Sequence, residues 1–124
     1  MSVGLSDAEL RVMGVVWREG GSTTARKIVE TLSDEVQYSS SATYTLIYRC
    51  IKKGALQRTE PGFVCKALVS QEEMQAKQTD ALVERLYDGS ADKLFAALVS
   101  RKKVSRDEIS RLRDAIDESG EHFE

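Results

Sequence analysis

The chain has 124 residues, 41% hydrophobic and 31% charged, with a formal net charge of −2, which suits a globular chain of one domain or of a small domain with a helical extension. No apolar run approaches the roughly 20 residues that cross a bilayer, and the opening MSVGLSDAEL has neither a basic leader nor an apolar stretch, so we expect a cytoplasmic protein with no membrane partner. The charge is divided: residues 1–70 hold 9 Lys/Arg against 7 Asp/Glu and residues 71–124 hold 9 against 13, which makes the second part a poor surface for a polyanion.

In chain order, Ser6 and Glu9 form a Ser-x-x-Glu capping box, and the helix they open carries Leu10, Met13, Val16 and Trp17 inward before Gly20-Gly21 ends it. A second helix, starting near Thr23 or Thr24, buries Ala25, Ile28, Val29 and Leu32 and leaves Arg26 and Lys27 outside, with polar residues 33–37 leading onward. Residues 39–54, SSSATYTLIYRCIKKG, predict a third helix with Ser39 as N-cap and Gly54 as the stop. Two strand-like runs follow, residues 55–59 and 63–68, joined by Glu60-Pro61-Gly62, whose Pro-Gly pair suits a tight turn. Helix, helix, helix, hairpin is the order of a winged helix-turn-helix domain, with the third helix as the groove reader and the hairpin as the wing. Beyond it, capping boxes at Ser70/Glu73 and Ser105/Glu108 and the break at Asp88-Gly89-Ser90 predict three more amphipathic helices. Residues 120–124 carry no pattern and are expected to fray. The fold class expected is therefore mainly α: a winged-helix domain over residues 1–69 and a three-helix dimerisation region over residues 70–124.

The third helix carries the chemistry. Leu46, Ile47, Cys50 and Ile51 fall on one half of it, whereas Ser41, Thr45, Tyr48 and Lys52, flanked by Tyr44 and Arg49, fall on the other, without a carboxylate. Hydroxyls, aromatics and cations in that arrangement suit base edges and phosphates of double-stranded DNA. With Ser39 and Ser40 at the helix start, the face over residues 39–53 is expected in the major groove, Ser41, Tyr44, Thr45 and Tyr48 toward bases and Arg49, Lys52 and Lys53 toward phosphates. Thr24 offers a phosphate the start of the second helix, and Arg58 and Lys66 offer it the wing, although Glu60 at the wing tip repels it. The same residues admit a bland reading, a solvated helix face, and a competing one, a winged-helix module that docks another protein on Tyr44 and Tyr48 without binding DNA.

In the acidic half, Met74, Ala81, Leu82 and Leu86, then Leu94, Phe95, Leu98 and Val99, then Ile109, Leu112 and Ile116 form apolar stripes. Three such short helices bury little alone, so the stripes are expected to pair in a homodimer, which would present two reading helices to a pseudo-palindromic site, the dyad of a promoter. Cys50 and Cys65, without CxxC or CxC spacing, are expected as thiols; Cys65 would serve as a redox or metal handle only if exposed. His122 is the sole histidine, so no metal site and no cofactor is expected, and no Ser/His/Asp set, phosphate loop or carboxylate pair outside capping positions suggests an enzyme.

Leu5-Ser6-x-Ala8-Glu9-x-x-Val12-Met13-x-x-x-Trp17, Ile28, Leu46-Ile47-x-Arg49 and Lys52-Lys53-Gly54 together resemble the penicillinase and methicillin-resistance repressor family, which includes copper-responsive repressors. The resemblance implies a winged-helix DNA reader, a helical dimerisation region and transcriptional repression at promoter dyads. It also implies a regulatory protease or sensor protein as partner, since several members are released by proteolysis in the C-terminal helices. Departures are specific. Ala42-Thr43-Tyr44-Thr45 stands where the family often has Thr-Val-Lys-Thr, which points to a different operator sequence. The wing aromatic expected near Cys65 is replaced by Phe63, two residues earlier on the same strand face. Phe95-Ala96-Ala97-Leu98 lacks the Asn-Phe pair at which proteolysed members are cut, and the CxC motifs of the copper branch are absent.

Overall fold

A computed structural model describes residues 4–119, so the tail expectation for residues 120–124 and His122 lie outside the described residues. The elements run α1 (Asp7–Arg18), β1 (Ser22–Thr24), α2 (Ala25–Val36), α3 (Ser40–Lys52), β2 (Leu56–Thr59), β3 (Val64–Ala67), α4 (Gln71–Leu86), α5 (Ala91–Ser100) and α6 (Arg106–Ser119). None of these helices is long and apolar enough to cross a membrane. The chain folds as two compact units that divide between Gln78 and Thr79, inside α4.

The first unit is built on α1. Ser6 Oγ accepts from the Glu9 amide at 3.1 Å and Glu9 Oε1 accepts from the Ser6 amide at 2.7 Å, the reciprocal capping box that the sequence announces. The buried stripe of α1 is Val12, Met13, Val15 and Val16, with Leu10 at its half-buried edge instead of inside. Against it pack Ala25, Ile28 and Leu32 of α2, Leu46, Ile47 and Cys50 of α3, and Leu56 and Cys65 of the sheet. Full burial of each large aliphatic side chain stabilises by about 1.5–3 kcal/mol, so this single cluster holds three helices and the sheet together. Trp17 packs at its rim and donates its indole N–H to the Val69 carbonyl at 3.0 Å.

Two elements differ from the sequence expectation. Helix α2 runs a turn further, to Val36, because Val36 continues the stripe of Leu32 at i+4 while Glu35 on the outer side binds Arg18 at 2.9 and 3.0 Å. Only residues 37–39 then join α2 to α3, with Gln37 in the left-handed region at φ 56°. Residues 22–24, expected to start a helix, form β1 and add a third strand, so the sheet order is β1-β3-β2, all antiparallel. Thr24 remains the N-cap of α2, its Oγ1 accepting from the Lys27 amide at 3.1 Å.

In the second unit and the segment leading to it, caps again define the helices. Ser70 and Glu73 exchange bonds of 3.0 and 3.3 Å, Ser90 accepts from the Lys93 amide at 3.3 Å, and Ser105 and Glu108 exchange bonds of 3.0 and 3.1 Å. From residue 79 to residue 118 no described side chain is fully buried.

Candidate nucleic-acid interface

Helix α3 is fixed at both ends. Ser39 Oγ accepts from the Ala42 amide at 3.1 Å, and Gly54 leaves the helix at φ +83°, a conformation that costs a residue with a Cβ. Its inward side is Thr43, Leu46, Ile47 and Cys50, all buried, and that seating turns Ser40, Ser41, Thr45, Tyr48, Arg49 and Lys52 to solvent. The helix contains no Asp or Glu. Arg49 and Lys52 lie in its last turn, where cations complement the helix dipole, and neither makes an ion pair among the described residues. Thr45 donates its hydroxyl to the Ser41 carbonyl at 3.1 Å, so while that bond stands its oxygen is left as an acceptor.

Tyr44, expected to face a groove, is half-buried. Its ring lies 5.9 Å from that of Phe63, and Tyr48 meets the same ring from 5.8 Å. Phe63 stands at φ 50°, in the turn before β3 instead of on the strand face, and its carbonyl accepts from the Ala25 amide at the start of α2 at 2.9 Å. Arg58 covers the ring with its guanidinium 3.6 Å from the centroid. One side chain thus ties the start of α2, the outer side of α3 and the wing into one body. Sequence reading saw only its aromatic character, since nothing local announces a left-handed Phe.

Two other expected phosphate contacts, Lys53 and Lys66, lie apart from this face. Lys53 is turned inward: its Nζ binds Glu9 Oε1 at 2.7 Å and the Gly4 carbonyl at 3.0 Å. It answers a buried carboxylate, Glu9 being 1% exposed, and is not free for DNA as Lys52 is. Burial pushes the Glu9 carboxyl up, but its bonds to Lys53 and Ser6 outweigh this and hold it below its ordinary value. Thr24 caps α2 beside the turn that carries Phe63, and its Oγ1 accepts from the Lys27 amide. Lys66 pairs with Ser22 and Gln57 across the sheet, on the face opposite that of its neighbour Cys65, which faces the core.

Both thiols are fully buried, so the condition set for Cys65 as a handle is not met. Desolvation, then the Glu9 charge, pushes Cys50 up to about 12, and burial raises Cys65. The hydroxyl of Thr43, also fully buried, has no hydrogen-bond partner among the described residues.

A three-helix core with a short α2–α3 turn, a carboxylate-free outer face on the third helix and a β-hairpin locked against that face define a winged helix-turn-helix protein. The chain belongs to the penicillinase repressor family, whose pattern it matches over residues 5–118. It is 28% identical over 116 residues to the penicillinase repressor of Bacillus licheniformis, covering 92% of this chain and 90% of that protein. It is also 28% identical over 114 residues to the methicillin resistance regulatory protein MecI of Staphylococcus aureus strain N315, covering 90% and 92%. Among solved structures, the DNA-binding domain of the repressor BlaI superposes with a TM-score of 0.52 at 33% identity, over 57% of this chain and 88% of that one. Monomeric Bacillus licheniformis BlaI in complex with the blaP half-operator superposes with a TM-score of 0.51 at 31% identity, over 58% and 90%. These relatives are transcription regulators and not enzymes.

Proposed function

We propose that this chain is a transcriptional repressor that binds double-stranded DNA as a homodimer at a pseudo-palindromic promoter site, in the cytoplasm. The observation that carries the reading is the outer face of α3, where hydroxyls, Tyr48 and two cations without an ion pair among the described residues share a surface without a carboxylate. Ser40, Ser41, Thr45 and Tyr48 meet base edges, and Arg49 and Lys52 meet phosphates. Ser, Thr and Tyr lack the two-pronged arginine contact to guanine, so specificity leans on site spacing and DNA shape. The BlaI half-operator complex supports the same use of a similar domain.

Support for the homodimer comes from the second unit. Leu86 is 70% exposed, and Leu82, Phe95, Leu98, Val99, Leu112 and Ile116 are all exposed as well, while Ala81, Leu94 and Ile109 are half-buried. An apolar groove of about 440 Å³ opens on Phe95, Ile109, Leu112 and Ile116. Helices with so much open apolar surface and no buried centre need a partner, and a second copy offers the same stripe. Met74 is set apart from this surface, because at 3% exposure the chain already covers it. Reading both halves of a pseudo-palindromic site requires two α3 helices about one duplex turn apart, near 34–36 Å. The competing reading, a protein docked on Tyr44 and Tyr48, is weakened because Tyr44 is half-buried and only Tyr48 of the two is exposed.

The test is fluorescence anisotropy with the duplex upstream of the chain's own coding region, titrated with salt. Tight binding that weakens steeply with salt is expected from counterion release. A flat salt response, or no binding, would overturn the reading.

A further inference from the structure

We propose that Arg58 is a latent phosphate contact held in check by Glu60, and that the DNA backbone displaces Glu60 from the guanidinium when the wing docks. The proposal rests on the DNA-binding reading above and adds a device to it.

The geometry is that of a cation already provided with an anion. Glu60 Oε1 accepts from both Arg58 Nε and Nη2 at 2.7 Å, and Glu60 Oε2 accepts from the Phe63 amide at 3.1 Å. One face of the guanidinium lies on the Phe63 ring, 3.6 Å from its centroid. The carboxylate is anchored by the turn amide, so it does not depend on Arg58 to stay in place. Arg58 is 42% exposed and Glu60 56%, so a solvent-borne anion can reach the pair. The same Phe63 ring touches Tyr48, which is 51% exposed on the outer face of α3, and this puts the guanidinium beside the groove-facing surface. A phosphodiester flanking that groove offers the same two-acceptor chemistry as a carboxylate. In the free protein, then, Arg58 and Glu60 cancel at long range, so that the pair adds little to the wing's attraction for DNA away from a docked site and Lys66 alone sets the net charge of the hairpin. On docking, the phosphate takes the guanidinium while the Glu60 charge stays close by and opposes it.

The experiment compares wild type, Glu60→Gln, Arg58→Gln and the double variant in duplex binding by anisotropy between about 50 and 200 mM salt. Glutamine keeps an acceptor for the Phe63 amide and removes only the charge. E60Q is expected to bind about 3- to 10-fold more tightly than wild type, with a salt slope steeper by about one counterion. R58Q is expected to weaken binding, and the double variant to lose the gain of E60Q. Equal affinity and slope for E60Q and wild type, or an E60Q gain that persists in the double variant, would overturn the device while leaving DNA binding intact. Absence of salt-dependent binding by wild type would overturn both readings. Melting curves accompany each variant. Should E60Q fail to fold, R58Q alone decides, since unchanged affinity without Arg58 removes it as a contact.

Discussion

Glu9 sits at the start of α1 with its carboxylate under the end of α3, and four groups share its fate: the Ser6 amide, the Ser6 hydroxyl, Lys53 and the Cys50 thiol that reaches its carbonyl at 3.7 Å. Because the folded carboxyl is held below its ordinary value of 4.5, its contribution to stability is complete above that pH and is lost as pH falls through the folded value. Melting followed from about pH 7 to about pH 3 should therefore show a steeper acid limb in wild type than in Glu9→Gln. Lys53→Met leaves the buried carboxylate with Ser6 alone and should destabilise by about 1–3 kcal/mol in denaturant, with little change in the salt slope of DNA binding. The orphaned Thr43 hydroxyl gives the opposite sign: Thr43→Val keeps the shape and should gain about 1 kcal/mol. Neither thiol should react with a disulfide reagent until the protein is unfolded, as both are fully buried. The adjacent lysines mark the limit of reading residues one at a time. Periodicity separates Lys52 from the core but cannot say that Lys53, one position on, meets a carboxylate 44 residues away.

Among the elements, those with local signatures were legible. A serine that accepts from the amide three residues on, with glutamate returning the bond, is written in four residues, and all three such boxes form. Strand β1 has no such signature: Ser22, Thr23 and Thr24 are polar, and they become a strand only because β3 lies alongside with Thr23 opposite Cys65. Helix α3 depends on its cap, so Ser39→Ala should cost about 0.5–2 kcal/mol in stability and weaken DNA binding in proportion to the loss of ordered reader. On the helix itself the roles divide. Lys52→Ala should lower affinity for all duplexes and flatten the salt slope by about one ion, while Thr45→Ala should change base preference with the slope retained. The opposite pattern in a binding series over altered sites would exchange those roles.

At the scale of the whole molecule, a well-filled first unit is joined to a second in which no described side chain is fully buried. If the proposed homodimer forms through these stripes, Leu98→Asp with Leu112→Asp should leave the first unit folded, give a monomer in sedimentation where wild type gives a dimer, and reduce affinity for a full site toward that for a half-site. Retained dimerisation would place the interface elsewhere. The order of helices, their caps, the carboxylate-free face of α3 and the apolar stripes of α4, α5 and α6 could be read from the residues, because each depends on contacts within about four residues. That Phe63 joins the wing to α3, that Arg58 is neutralised by Glu60 against that ring, that Lys53 serves Glu9 and that both cysteines are sealed emerges only once the chain is folded. In each case the conformation of one residue or its distant partner sets the outcome: a left-handed turn aims the ring, and close packing sends a polar group to whichever charge the folded chain brings beside it.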